Sequence, residues 1–275
     1  MAYRCFDVRT TDGVAHLRLV RPGELNTMVP EFWTELPEIV TGLSDSGSVR
    51  AVVISSTGRH FSAGMDLAVF GAGQDDAELG RLRARMRSVA KVLQWSFTAL
   101  EKARMPVVAA VQGGVIGGAV DLVTACDLRY ASADAFFVVQ EINIGMTADV
   151  GTLQRLGTLV PEGVARELAY TGRRMPAQRA YEVGLVQQVF PDHDAVVAGA
   201  LEVAGEIATR SPLAIWGTKV AMNYARDHSV EDSLEQIATW QSGMFQPADM
   251  QEAFRAKAEG RPPVFPDLLP EPTGF

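Results

Sequence analysis

Residues 111–155, VQGGVIGGAVDLVTACDLRYASADAFFVVQEINIGMTADVGTLQR, combine a glycine-rich turn with three carboxylates in an otherwise apolar segment. An apolar strand is followed by glycines, and a helix is predicted to begin near Gly117 or Gly118. The carboxylates are Asp121, Glu141 and Asp149. A buried carboxylate is costly unless it is paired or protonated, so each of the three requires a structural or chemical reason.

The sequence on the N-terminal side predicts an α/β core. The apolar runs at 49–55 and 107–111 are typical of strands that are covered on both faces, and a helical pattern at 77–104 lies between them. This strand, helix, strand order favours a layered sheet with right-handed crossovers. Further predicted elements are a hairpin of residues 3–9 and 14–20, a helix from Pro30 towards Leu43, and short strands at 127–131 and 136–139.

Beyond Asp149 the pattern is helical almost throughout. Helices are predicted at 162–171, 177–183, 192–209, 212–226, 230–243 and 248–258. We divide the 275 residues into an α/β core, residues 1–195, and a C-terminal helical region, residues 196–275, which is expected to pack on the core, on a partner subunit, or on both.

Composition excludes several classes of protein. A net charge of −8 gives no general attraction to nucleic acid or to an anionic membrane. The two cysteines are far apart and lack metal-ligand spacing, so we expect neither a disulfide nor a metal site. No apolar run approaches the roughly 20 residues that cross a bilayer. The first 20 residues are typical of a folded strand rather than a targeting peptide, so a cytoplasmic location is expected.

The glycine turn favours binding of an oxyanion. It lacks the Walker lysine and the GxGxxG spacing, which argues against a nucleotide. The first N–H groups of a helix are unpaired and lie at the positive end of its dipole, so a helix start at Gly117 or Gly118 suits a negative oxygen. A second donor is expected from the loop at Gly64-Met65. Alternatively, these glycines only allow the helix to pack closely on the strand.

The carboxylates favour acid–base chemistry. Asp121 lies three residues after Gly118 and so shares its helix face, although a first-turn aspartate is also favoured by the helix dipole alone. Asp149 has a similar alternative as the N-cap of the following helix. Glu141 lies in an apolar context, where a raised pKa would suit proton exchange near neutrality. Three carboxylates near an oxyanion hole indicate proton transfer beside a carbonyl.

Several motifs resemble the crotonase superfamily of enoyl-CoA hydratases and isomerases over nearly the whole chain. Within it, residues 120–156 and 211–240 are most similar to the Δ3,5-Δ2,4-dienoyl-CoA isomerases. The resemblance implies a core of repeated β-β-α units in a spiral, a C-terminal helical trimerisation region, and a homotrimer or homohexamer. The motifs are RPGELNTM (21–28), HFSAGMDL (60–67), MPVVAAVQGGVIGGAVDL (105–122), ACDLRYAS (125–132) and TGRRMPAQRAYEVGLVQQV (171–189).

The resemblance also implies a role for each candidate residue of the site. The backbone N–H groups of Met65 and Gly118 would bind the thioester oxygen, and Glu141 would exchange the proton at C2. Asp149, a mark of the dienoyl isomerases, would be held protonated in an apolar pocket and would deliver a proton to C6. Asp121, where hydratases have a glutamate, would tune the other two. The expected reaction converts 3,5-dienoyl-CoA to 2,4-dienoyl-CoA in fatty acid β-oxidation.

The implied substrate is an acyl-CoA thioester, and no separate cofactor is expected. Ala119, Gln112 and Gln140 depart from the usual pattern without removing a reacting group. Two alternatives remain: an enoyl-CoA hydratase, and a non-catalytic CoA-binding scaffold. The expected substrate-binding residues are Asn26, Ala63, Gly64, Asp66, Leu67, Gly117, Phe254 and Lys257.

Overall fold

The computed structural model describes residues 3–66, 77–245 and 247–273. Within these ranges the chain forms nine strands and ten α-helices. The strands are β1 (Phe6–Thr11), β2 (Val14–Leu19), β3 (Ala51–Ser56), β4 (Val107–Val111), β5 (Gly114–Ile116), β6 (Leu128–Ser132), β7 (Phe136–Val138), β8 (Met175–Pro176) and β9 (Gln188–Phe190). The helices are α1 (Pro30–Ser46), α2 (Leu79–Lys102), α3 (Gly118–Ala125), α4 (Thr152–Leu159), α5 (Glu162–Thr171), α6 (Ala177–Glu182), α7 (His193–Ala208), α8 (Pro212–Tyr224), α9 (Val230–Met244) and α10 (Pro247–Glu259).

The strands form two sheets, and no strand belongs to both. The larger has the order β1-β2-β3-β4-β6-β9, in which the β1–β2 hairpin is antiparallel and the other pairs are parallel. The smaller has the order β5-β7-β8. Thus β4 and β6 enter the larger sheet, and the strand that follows each of them enters the smaller sheet. This alternation confirms the predicted core of repeated β-β-α units.

The central strands alternate their side chains between two apolar clusters, as expected for strands covered on both faces. Val52 and Ile54 of β3 face the cluster that includes α1, α2 and α3, whereas Ala51 and Val53 face the opposite way. The second face is covered by α7, whose buried residues recur every four positions as Val196, Ala200 and Ala204. Residues after 195 therefore cover the sheet, and the division of the chain at 195 stays a prediction.

Helix α8 and the segment after α10 make polar contacts with the core. Lys219 on α8 is buried, and its Nζ donates to the carbonyls of Leu100 and Met105 and to Asp127, at 2.8, 3.0 and 2.8 Å. The segment after α10 returns to the core, where Arg104 donates to the Leu269 carbonyl at 3.0 Å. Among the residues that the structure describes, no helix is both long and apolar enough to cross a membrane.

Three short strands differ from the sequence-based prediction. β5 was not predicted, and β8 and β9 interrupt a region that was predicted to be helical almost throughout. Each has two or three residues, too few for a periodic pattern, and each forms because a partner strand is already in place. The predicted helix at 77–104 forms as α2, and Met86, Val89 and Val92 in its first two thirds are exposed.

Candidate active site

The glycine turn between β5 and α3 lies against the loop at residues 63–66. Gly117 has a positive φ of 55° and donates its N–H to the Val138 carbonyl on β7 at 2.9 Å. Gly64 also has a positive φ, 84°, and a Cβ there would lie 2.5 Å from the carbonyl oxygen of Ile116 and 3.2 Å from the nitrogen of Gly118. Only glycine allows the two backbones to approach this closely.

This approach brings two backbone N–H groups together. The Met65 nitrogen lies 3.8 Å from the place that a Cβ on Gly118 would occupy. Met28 holds the loop, because its N–H donates to Gly64 and its carbonyl accepts from Asp66. Among the described residues, no acceptor receives a hydrogen bond from the N–H of Met65 or of Gly118. The pair is therefore available to an external oxygen, with the N-terminus of α3 behind it.

Asp121 lies in the first turn of α3 and is only 1% exposed. Its Oδ1 accepts a hydrogen bond from the N–H of Thr152, the first residue of α4, at 2.6 Å. Its Oδ2 is buried and has no partner among the described atoms. Burial and then the negative charge of Glu141 raise the pKa of Asp121 from 3.8 to about 7. Gly151, not Asp149, is the N-cap of α4, so the alternative that made Asp149 a helix cap is wrong.

Glu141 lies against the glycine turn at the start of a 3₁₀ helix, Glu141–Ile144. Its Oε1 is 3.3 Å from the place that a Cβ on Gly117 would occupy. Its Oε2 is buried and has no partner within the described part of the chain. Burial raises the pKa of Glu141, and the charge of Asp149 raises it further. Two buried carboxylates thus leave an oxygen without a partner near the free N–H pair, which is unusual outside functional sites.

Asp149 is close enough to act on Glu141 electrostatically, but its surroundings differ from the prediction. In the single chain it is exposed, and it lines a cavity of about 570 Å³ together with Gln94, Glu101, Arg155 and Arg226. These side chains are polar or charged, so the chain does not itself provide the apolar pocket that was expected around Asp149. The structure does bring the three carboxylates into one electrostatically coupled group.

The expected substrate-binding residues fall into different groups. Asn26 is 2% exposed, and its side chain accepts from the Arg21 N–H at 2.8 Å and donates to the carbonyls of Thr57 and His60. The amide of Asn26 therefore holds its own loop rather than facing a ligand. Asp66 is half-buried and accepts from the hydroxyl of Thr27 at 3.3 Å.

The other expected contacts also lie at different distances from the carboxylates. Gly64 and Gly117 lie next to the N–H pair, the N–H of Ala63 donates to the Leu25 carbonyl, and Leu67 lies outside the described residues. Phe254 and Lys257 are exposed on α10, whose residues share a cavity with α8 and α9. The single chain does not bring these two residues to the carboxylates.

Sequence analysis missed the polar groups that hold the carboxylates in place. The N–H of Thr152 binds Asp121, and the Nε2 of Gln94 donates to the Asp149 carbonyl at 2.8 Å. A backbone N–H carries no sequence signal, and a single glutamine on a long, largely polar helix is not a recognisable motif. Both contacts join residues more than 30 positions apart.

Comparisons with known proteins agree with this geometry. The family described as enoyl-CoA hydratase/isomerase matches residues 9–268. The chain is 42% identical over 252 residues to a mitochondrial Δ(3,5)-Δ(2,4)-dienoyl-CoA isomerase of Homo sapiens, covering 90% of this chain and 77% of the relative. It is 39% identical to the peroxisomal isomerase of Arabidopsis thaliana, covering 94% and 95%. The crystal structure of a putative enoyl-CoA hydratase from Streptomyces coelicolor A3(2) superposes with a TM-score of 0.87 at 27% identity, covering 96% and 95%.

Proposed function

This chain belongs to the enoyl-CoA hydratase/isomerase family, and we propose that it is an isomerase that converts 3,5-dienoyl-CoA to 2,4-dienoyl-CoA. One observation carries the proposal: the charge of a third carboxylate, Asp149, raises the pKa of Glu141, which lies beside the free N–H pair and in turn raises the pKa of Asp121. The 42% identity to a relative with this activity supports it. Addition of water across C2 and C3 does not require a carboxylate at this third position.

The first step takes place at the thioester. Its oxygen accepts hydrogen bonds from the N–H groups of Met65 and Gly118, and the Glu141 carboxylate removes a proton from C2. The electron pair of the broken C2–H bond then delocalises over the diene and the thioester oxygen. A single well-placed donor of this kind typically contributes about 100- to 1000-fold in rate.

The second step takes place at C6. The carboxyl group of Asp149 acts as the general acid there: its O–H bond breaks, a C6–H bond forms, and the double bonds move to C2=C3 and C4=C5. One proton leaves C2 for Glu141 and one arrives at C6 from Asp149, and proton exchange of the two carboxyl groups with solvent after product release restores their starting forms, so the reaction needs no oxidant, reductant or separate cofactor. Asp121, held by Thr152, tunes the charge of Glu141.

The proposal extends to the substrate-binding loop, the assembly and the location. Ala63, Gly64, Asp66 and Gly117 guide the pantetheine towards the N–H pair. The chain acts in fatty acid β-oxidation as a homotrimer or homohexamer, and this is supported by α9, which buries none of its described residues in the single chain. A cytoplasmic location is proposed as well. The relatives are named as mitochondrial or peroxisomal enzymes, so cell fractionation is the relevant measurement.

The decisive experiment supplies the purified protein with two substrates in parallel. A 3,5-dienoyl-CoA should give the ultraviolet absorption of the conjugated 2,4-dienoyl product, whereas a 2-enoyl-CoA should lose its absorption slowly or not at all. Fast hydration without formation of the 2,4-diene would contradict the proposal in favour of a hydratase. No reaction with either substrate, together with binding of acyl-CoA in calorimetry, would favour a non-catalytic scaffold.

A further inference from the structure

The segment 149–152 connects two of the three carboxylates and is held at both of its ends. At one end the Thr152 N–H donates to Asp121 at 2.6 Å. At the other end Gln94, on α2, donates its Nε2 to the Asp149 carbonyl at 2.8 Å. No described hydrogen bond holds the exposed carboxylate of Asp149 itself. The position of this carboxylate therefore depends on how firmly the backbone of segment 149–152 is held.

An ion pair holds the middle of the same segment. The guanidinium of Arg155, on α4, donates to the Val150 carbonyl at 3.4 Å, to the hydroxyl of Thr98 at 3.3 Å and to Glu101 at 2.7 Å. The side chains of Arg155 and Glu101 are 13% and 16% exposed, so water screens the pair less than it would at the surface. Glu101 is anchored in turn by Arg226, two residues after the end of α8, at 2.5 Å.

Gly151 makes room for this guanidinium. It has a φ of 135°, and a Cβ at this position would lie 1.7 Å from the Nη1 of Arg155. The arginine therefore occupies the space that any other residue at 151 would fill. The ion pair, the glycine and the segment that carries Asp149 form one packed unit.

We propose that Gln94 and the Arg155–Glu101 ion pair are positioning residues that hold segment 149–152, and with it the Asp149 carboxylate, at the distance from Glu141 that proton delivery to C6 requires. The inference rests on the proposed isomerase function. A displacement of about 1 Å in a reacting group can cost about 100-fold in rate. Loosening the segment should therefore slow the C6 step, whereas the C2 step at Glu141, outside the segment, should continue.

The first test replaces Gln94 by methionine, which keeps the length of the side chain and removes the donor. Gln154→Met is the matched control, because Gln154 lines the same cavity, is exposed and makes no hydrogen bond among the described residues. Gln94→Met should lower kcat for the 3,5-diene by about tenfold or more, with KM little changed. Exchange of the C2 proton of a 3-enoyl-CoA with D₂O should stay within about twofold of the unmodified chain. The control should change neither rate.

The second test keeps the charge and changes the geometry. Arg155→Lys preserves a cation near Glu101 but loses the planar group that reaches Val150, Thr98 and Glu101 together. It should slow isomerisation more than C2 exchange, and amide hydrogen exchange in residues 148–156 should become faster in both Arg155→Lys and Gln94→Met. Equal losses of isomerisation and of C2 exchange would indicate general damage to the site and would overturn the proposal. Unchanged isomerisation together with unchanged amide exchange would also overturn it.

Failure of the proposed function gives a different result. If the unmodified chain does not isomerise the diene, the proposed function is lost, but amide exchange still tests whether these residues hold the segment. Faster exchange in both variants, with the Gln154→Met control unchanged, would then retain the positioning role for another reaction at Asp149. Unchanged amide exchange would exclude a positioning role for these residues.

Discussion

Asp121 links the stability of the fold with the chemistry of the site. It is buried in the first turn of α3, accepts a hydrogen bond from Thr152, and has a pKa of about 7 compared with 3.8 for an ordinary aspartate. Between these two pH values the folded state binds more protons than the unfolded state. The free energy of unfolding therefore falls as the pH rises from about 4 to about 7, and the full cost is present above that range.

Asp121→Asn should remove this cost, because asparagine stays neutral and can still accept the Thr152 hydrogen bond. One pKa unit corresponds to about 1.4 kcal/mol, so we expect the variant to be about 2–4 kcal/mol more stable at pH 8. Near pH 4 the two proteins should be equally stable. Urea denaturation across this pH range measures the difference, and a constant difference would show that Asp121 does not titrate as described.

Asp149→Asn should separate the two proton transfers. The variant should lose isomerisation of the 3,5-diene, because an amide cannot deliver a proton to C6. It should keep C2 exchange, and the acidic limb of that pH profile should move to lower pH, since the charge of Asp149 raises the pKa of Glu141. Deuterium uptake from D₂O into a 3-enoyl-CoA provides the measurement. Isomerisation at an unchanged rate would exclude Asp149 from the mechanism.

At the scale of elements, the site is the contact between the loop at 63–66 and the start of α3. Both elements could be predicted from the sequence, because the glycines at 64, 117 and 118 indicate a turn and a helix start without information about distant contacts. It was not sufficient to identify the acceptor of the first N–H group of α4, which is Asp121 from 31 positions away rather than the neighbouring Asp149. Elements with a strong local pattern, such as β3 and β4, were predicted, whereas β8 needs β7 beside it.

Gly64→Ala should move the loop at 63–66 away from the start of α3. Its Cβ would lie 2.5 Å from the carbonyl oxygen of Ile116, and this clash cannot be relieved without a backbone shift that moves Met65 away from Gly118. We expect kcat for the 3,5-diene to fall by about 100-fold or more. Gly157→Ala is the control, because a Cβ there has no neighbour within 4 Å and the change should leave the rate unaltered. Equal rates for the two variants would show that the N–H pair is not used.

At the scale of the whole molecule, the C-terminal helices present more apolar surface than a single chain needs. On α9, Val230 and Leu234 are 78% and 62% exposed. Contiguous exposed apolar surface commonly marks a subunit interface. The resemblance alone suggested an oligomer from the sequence, since helical periodicity does not distinguish a face that packs on the same chain from one that packs on a neighbour.

Sedimentation of the unmodified chain should give three or six times the mass of one chain. Leu234→Glu places a charge on the exposed face of α9 and should shift the mass towards that of a single chain. Leu269→Glu, the same change at a position that is 83% exposed on the C-terminal segment, should leave the assembly intact. A monomeric unmodified protein would contradict the proposed homotrimer or homohexamer.

The absent side chain at Gly151 provides a rule for assigning function to other members of the family from sequence alone. An aspartate at the position of Asp149 would be an insufficient marker by itself. A residue larger than glycine two positions later would be strained at a φ of 135°, and the guanidinium of an arginine four positions after it would have to move from the place that it occupies in this chain. In such sequences we expect the segment that carries the aspartate to be held less firmly. We therefore expect the pattern D-x-G-x-x-x-R, rather than the aspartate alone, to distinguish the isomerases in a genome.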